Sequence, residues 1–345
     1  MARVAPLELA REQILAFRRT TGGLDERLAP GSSSLARAAS AGLQDSVPRS
    51  ALHSLHARVE ETAADTWEDP SLVQVWGLRY TAYVVPAGEH APFTIGRLPD
   101  SGATRRKAFD LAARLDALLD GRRLDANEAG AALGVHPNAL RYAALTGTVL
   151  IRWDGARRPT VWTVRAPEID PLDARVELAR RYLHGVGPGT SERFALWAGI
   201  SSQAALAAFD ALAASLLPVR TPVGDGLVLA SDEARLRAPD RPPAPARLLP
   251  SGDPFYLLQG VERELLVAEP RHRAALWTSR VWPGALLVGG EVAGTWRRSG
   301  AAVTMEPWRP LSRAERDAVE AEASTLPLPE VHGAVSVRWA AAQTA

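Results

Sequence analysis

The sequence predicts an α+β multidomain protein: three tandem winged helix-turn-helix units followed by a small C-terminal β-barrel domain with a helix. Three observations lead there. At 345 residues the chain is too long for one ordinary domain. A helix–helix–helix–hairpin order occurs three times. From about Pro245 the texture changes to short strand-like runs broken by Gly and Pro. The boundaries read as 1–100, 101–166, 167–244 and 245–345.

The second unit carries the plainest signals. Leu111, Leu115, Leu118 and Leu119 fall at helical spacing, which predicts an amphipathic helix over 105–120. Asp125 is placed to cap a short helix ending at Leu133, and Gly134 permits the tight turn of a helix-turn-helix. "HPNALRYAALTG" is a third helix, with Pro137 in its first turn and Gly147 at its end. "GTVLIRWDGARRPTVWTV" then reads as a hairpin around Asp-Gly.

The third unit repeats the order: "ARVELARRYLHG", then "SERFALWAG" capped by Thr190 and stopped by Gly199. "SSQAALAAFDALAASL" follows, and a hairpin turns at Gly224-Asp225-Gly226. A fainter first unit has "LELAREQILAFRR", "SSSLARAASAG" and "VPRSALHSLHARV" as helices and "LVQVWGLRYTAYVV" as strands. "RAPDRPPAPARLLP" is the best linker. Beyond it, "FYLLQG", "RELLVA", "ALLVGGEVAGTWRR" and "AVTMEPWR" read as strands, "SRAERDAVEAEASTL" as a helix and "AVSVRW" as a last strand.

Net charge is only +1, which argues against a protein that coats nucleic acid along its whole surface. The charge is unevenly placed: residues 101–165 carry 11 basic and 6 acidic groups, whereas no other unit has a basic excess. A local basic patch is what phosphate binding requires. Arg141, Arg152, Arg157 and Arg158 fall on the third helix and hairpin of that segment, so they are candidate contacts for DNA phosphates. Arg297 and Arg298 of "GTWRR" are candidates in the C-terminal domain.

Other chemistry finds little support. Without cysteine there is no disulfide, thiolate metal site or cysteine nucleophile. His53 and His56 lie one helical turn apart, but no third metal ligand accompanies them. "HGVGPGTSERF" is glycine-rich yet lacks the lysine of a phosphate loop. Neither metal nor organic cofactor is expected. No apolar run is long enough for a membrane span and the N-terminus is a poor signal peptide, so the expectation is a cytoplasmic protein.

"AGLQDSVPRSAL" places Gln44, Asp45 and Ser46 in a polar loop between two helices. By themselves these residues fit a helix cap, with Asp45 or Ser46 serving the helix at Pro48-Arg49. The loop also has a resemblance. A helix, "LQDSVPRSALHSLHARV", tandem winged helices, then "LLPSGDPFYLLQG" and "GEVAGTWRR" resemble the AlkZ/YcaQ family of bacterial DNA glycosylase-like proteins over most of the chain. The resemblance implies a C-shaped clamp of three winged helices and a β-barrel, closing on DNA, and excision of alkylated or adducted bases.

The family's Gln-x-Gln or Gln-x-Asp motif falls on Gln44-Asp45-Ser46: Gln44 matches, and Ser46 departs with a shorter side chain. The family's Arg-Gly-Thr-x-His stretch falls on "RYTAY", which keeps Arg79 and Thr81 but has Tyr83 in place of the histidine. Gln44 and Asp45 are then expected to position a water for cleavage of the N-glycosidic bond. The expected protein is a monofunctional DNA glycosylase-like monomer acting on double-stranded DNA. Its rivals are a non-catalytic DNA-binding regulator or damage sensor, and a scaffold that has lost nucleic-acid binding.

Overall fold

The computed structural model describes residues 6–47, 49–155, 158–238, 244–329, 331 and 333–340. It is a mixed α/β structure. The first segment runs β1 (Leu7–Glu8), α1 (Arg11–Thr21), α2 (Ser32–Ala38), β2 (Leu43–Gln44), α3 (Ser50–His56), β3 (Leu72–Trp76) and β4 (Ala82–Pro86). The second has α4 (Ala103–Leu119), β5 (Leu124–Asp125), α5 (Ala126–Leu133), α6 (Leu140–Ala143), β6 (Val149–Arg152) and β7 (Thr160–Thr163). The helix expected over "HPNALRYAALTG" is α6 flanked by 3-10 turns at Pro137–Ala139 and Ala144–Thr146.

The third segment has α7 (Pro171–Val186), α8 (Ser191–Ala198), α9 (Ser202–Leu212), β8 (Leu216–Thr221), β9 (Gly224–Leu229) and α10 (Glu233–Leu236). Local chemistry sets these boundaries. Asp125 accepts from the Asn127 amide at 2.7 Å, and Thr190 accepts from that of Arg193 at 3.3 Å. Gly134 and Gly199 end α5 and α8 at φ +67° and +69°, a conformation that glycine adopts without strain.

Two local expectations need correction. The β8–β9 turn begins two residues earlier than expected, at residues 222–223, because Gly224, Asp225 and Gly226 already pair with Thr221, Arg220 and Val219. Leu7 and Glu8 form a strand beside β8 rather than the start of α1. The linker's central residues, 239–243, lie outside the described residues.

The C-terminal segment has β10 (Arg247–Leu249), α11 (Glu262–Leu266), α12 (Pro270–Leu276), β11 (Gly284–Val288), β12 (Glu291–Ser299), β13 (Ala302–Pro307), α13 (Arg313–Ser324) and β14 (Ser336–Trp339). The expected barrel is instead an open five-stranded sheet in the order β10-β11-β12-β13-β14. Closure needs the two edge strands to pair. Here β10 has only three residues, and Val319 and Ala323 of α13 bury the face of the sheet with Leu248, Leu286 and Val303. "FYLLQG" forms turns and "RELLVA" is mostly helix, so neither is a strand; their apolar residues were legible but not their period.

Long-range pairing positions the site. The hairpins of the first two segments merge into one six-stranded sheet, β2-β4-β3-β6-β7-β5, joined where Gln74 pairs with Ile151. One buried cluster, including Tyr83, Tyr182, Phe194, Phe255 and Trp277, then ties the first, third and C-terminal segments together.

Candidate functional site

β2 is only two residues long, but it aims the loop. Leu43 is fully buried, and Gln44 pairs across the sheet with Tyr83, so these two share the opposite face. Gln44 Nε2 donates to Ser46 Oγ at 2.6 Å. Ser46 therefore reaches Gln44 despite its short side chain. Gln44 Oε1 is buried and accepts from no donor among the described residues. Gly252 packs directly on this amide at φ +80°, where an added Cβ would lie 2.9 Å from Oε1. Tyr83, where the family histidine would stand, is fully buried. Burial pushes its phenol up, against the opposing effect of Arg79.

Asp45 faces away from Gln44 into the protein and is 1% exposed. Its Oδ1 accepts from the Ala51 amide at 3.0 Å, in the first turn of α3. Its Oδ2 accepts from Gln74 Nε2 at 2.8 Å, with Arg49 Nη1 at 3.9 Å. Gln74 Oε1 in turn accepts from the Trp153 amide at 2.7 Å. The carboxylate thus ties the Gln44 loop to α3 and to the neighbouring hairpin, and Ser46 alone of the pair is exposed.

Burial raises the Asp45 carboxyl to about 6, despite the lowering effects of the Ala51 amide, Arg49 and Gln74. A raised carboxyl binds its proton more tightly folded than unfolded, so through Asp45 the fold gains stability as pH falls from about 6 towards 4. His53 and His56 act oppositely. Burial lowers them to about 4 and about 3, so their contribution is present above pH 6.5 and lost on acidification. Asp45→Asn removes the offset. The variant is expected to lose stability more steeply than wild type between pH 6.5 and 4.5 in urea melts, and identical slopes would refute the shift.

Ser46 opens on a cleft of about 610 Å³ that it lines with Trp76, Thr81, Arg141, Trp153 and Arg158. The structure thus brings together the motif loop, α6 and the second hairpin, which lie about a hundred residues apart. No carboxylate among the described residues pairs with Arg141 or Arg158. Burial lowers the Arg141 guanidinium, and the nearby charge of Arg158 adds to the effect.

Arg152 is placed differently: it stacks 3.6 Å from the Trp67 ring centre and pairs with Glu68 at 3.1 Å. Arg49 lies 3.5 Å from the same ring centre, and two guanidinium groups so close to one ring must occupy its two faces. Arg157 lies outside the described residues. Arg297 and Arg298 are exposed on β12 and line neither this cleft nor the Gln44 loop; Arg298 Nη1 donates to the Gly300 carbonyl at 2.9 Å.

Sequence reasoning missed the support beneath Gln44. Asp253 is fully buried and accepts from Arg58 Nη1 and Nη2 at 2.7 and 2.8 Å and from Ser54 Oγ at 2.7 Å. These bonds pin the Gly252 loop against α3. The Gly-Asp-Pro in "LLPSGDPFYLLQG" was the available signal, but its partner lies 195 residues away.

The chain thus joins repeated three-helix-and-hairpin segments to a glutamine loop beside an arginine-lined cleft. The family model described as "DNA glycosylase AlkZ-like" matches residues 36–327, and the chain belongs to that family. Among solved structures it is similar to Streptomyces sahachiroi DNA glycosylase AlkZ, with a TM-score of 0.77 and 21% identity over 97% of this chain and 100% of that one. A comparison with curated protein sequences finds no match. No helix among the described residues is long and apolar enough to cross a membrane.

Proposed function

We propose that this protein is a monofunctional DNA glycosylase acting as a monomer on damaged double-stranded DNA. In this reading residues 1–100, 101–166 and 167–244 are winged-helix units and 245–345 a capping sheet domain. The observation that carries it is Gln44: its Nε2 is fixed by Ser46, while its buried Oε1 accepts from no donor among the described residues. A buried acceptor without a donor costs about 1–3 kcal/mol, which a bound water would recover.

Gln44 Oε1 orients that water towards the anomeric carbon. The water oxygen bonds to that carbon as the bond to the base nitrogen breaks; the base departs with the electron pair and the water's proton passes to bulk solvent. Ser46 fixes the amide of Gln44, and Asp45 acts as a positioning residue through Ala51 and Gln74. The test is release of an alkylated base from duplex DNA by wild type and by Gln44→Ala.

Arg141 and Arg158 hold backbone phosphates at the cleft, since both lack a carboxylate partner among the described residues. Arg152 contributes less because Glu68 and Trp67 already engage it. Each phosphate contact steepens the salt dependence of binding by about 0.9 in log–log slope. Arg141→Ala/Arg158→Ala is therefore expected to flatten the slope by about 1.8. An unchanged slope in fluorescence anisotropy would remove these two from the interface.

A second reading, a non-catalytic DNA-damage sensor, is favoured by one observation. Both Asp45 oxygens are engaged within the protein, so the loop offers no free carboxylate as a base. It predicts tight binding to damaged duplex with no base released.

A further inference from the structure

A second cleft, of about 940 Å³, lies along the chain on the other side of the Gln44 strand. Ala41, two residues before β2, lines it, whereas Ser46, two residues after β2, lines the Trp153 cleft. Its walls come from α1, α2, α7 and Phe255. Seven arginines and three carboxylates line it. Four of the arginines are held by carboxylates, among them Arg58 by Asp253 and Arg181 by Glu89. Arg18, Arg37 and Arg180 have no carboxylate hydrogen bond or ion pair among the described residues.

These three differ in depth. Arg37, on the last turn of α2, and Arg180, on α7, are exposed. Arg18 is 1% exposed; its Nε donates to the Gly187 carbonyl at 3.0 Å, and neither Nη has a partner among the described residues. Its charge is shut in beneath the cleft, where little water screens it; burial lowers the guanidinium, Glu262 and Tyr182 offset that lowering, and Arg193 adds to it. A buried cation under two free surface cations attracts an anion.

We infer that this cleft is a second phosphate site, which takes the backbone of the same duplex on the far side of Gln44 from Arg141 and Arg158. The inference rests on the DNA reading above. Ala41 and Ser46 are five residues apart, so an extended chain separates the two clefts by at most about 18 Å at the lining residues. At a rise of about 3.4 Å that is roughly five base pairs, so one short duplex reaches both. Gln44 then lies between two anchored stretches of backbone. Arg37 and Arg180 make the contacts, and Arg18 holds the local field positive.

The test is duplex affinity as a function of salt for wild type, Arg37→Glu/Arg180→Glu and Arg141→Ala/Arg158→Ala, each checked for fold by thermal melting. Both exchanged pairs are exposed or half-exposed, so the fold should survive. The Arg37/Arg180 variant is expected to flatten the log–log salt slope by about 1.8, as the other pair does. If only the Arg141/Arg158 pair changes the slope, the second cleft is not a DNA site, while the DNA reading stands. If wild type shows no salt-dependent duplex binding, the DNA reading itself fails and this inference with it. Adenosine monophosphate is the remaining arm. Saturable binding of it that is lost in Arg37→Glu/Arg180→Glu, with duplex affinity unchanged, would make the cleft a free-nucleotide site and overturn the assignment.

Discussion

Asp253→Ala is expected to lower folding stability by about 3–5 kcal/mol, read as a drop in urea midpoint at pH 7 with little change in slope. The reason lies in what remains. Arg58 would keep a buried guanidinium that has lost both carboxylate bonds, and Ser54 and the Phe255 amide would lose their acceptor. Removing both charges together, as Arg58→Met/Asp253→Leu, should cost much less than the sum of the single losses, because no uncompensated charge is left. Additive costs would show that the pair is not coupled. Any Asp253→Ala protein that does fold should also lose base release, because the Gly252 loop that packs on the Gln44 amide hangs from this carboxylate.

Gln44→Ala should behave in the opposite manner. Base release is expected to fall by about 10²–10³-fold, the usual cost of removing one preorganised polar group from a reacting centre. Duplex affinity should stay within about twofold, because the phosphate contacts lie elsewhere. Stability should change by less than about 1 kcal/mol, since the variant also removes a buried acceptor that has no donor among the described residues. Loss of activity without loss of stability or affinity would mark Gln44 as a group that touches the reacting atoms. Equal release by both proteins would exclude it from the chemistry and favour the damage sensor.

Much of the local structure was readable before folding. Caps at Asp125 and Thr190 and stops at Gly134 and Gly199 are short-range chemistry: an oxygen two or three residues from an amide, or a backbone turn that needs no Cβ. The C-terminal region was misread where apolar runs lacked a clear period, so that "RELLVA" passed for a strand. The roles within the loop were harder. Sequence placed Asp45 and Ser46 side by side, but the loop that follows β2 sends one inward to Gln74 and leaves the other at the cleft. Arg152 and Arg158 looked equivalent on one hairpin, and only the nearby Trp67 and Glu68 separate them.

The amino-acid sequence by itself determined the repeated helix-and-hairpin segments, the concentration of positive charge in residues 101–165 and the identity of the Gln44 loop. Each is written in the spacing of neighbouring residues. Tertiary structure alone decided which arginines remain unpaired, that the C-terminal sheet stays open, and that Gln44 is held by Gly252 and lies along the chain between two clefts. Those outcomes depend on contacts between residues as far as 295 positions apart, for which no local periodicity carries a signal.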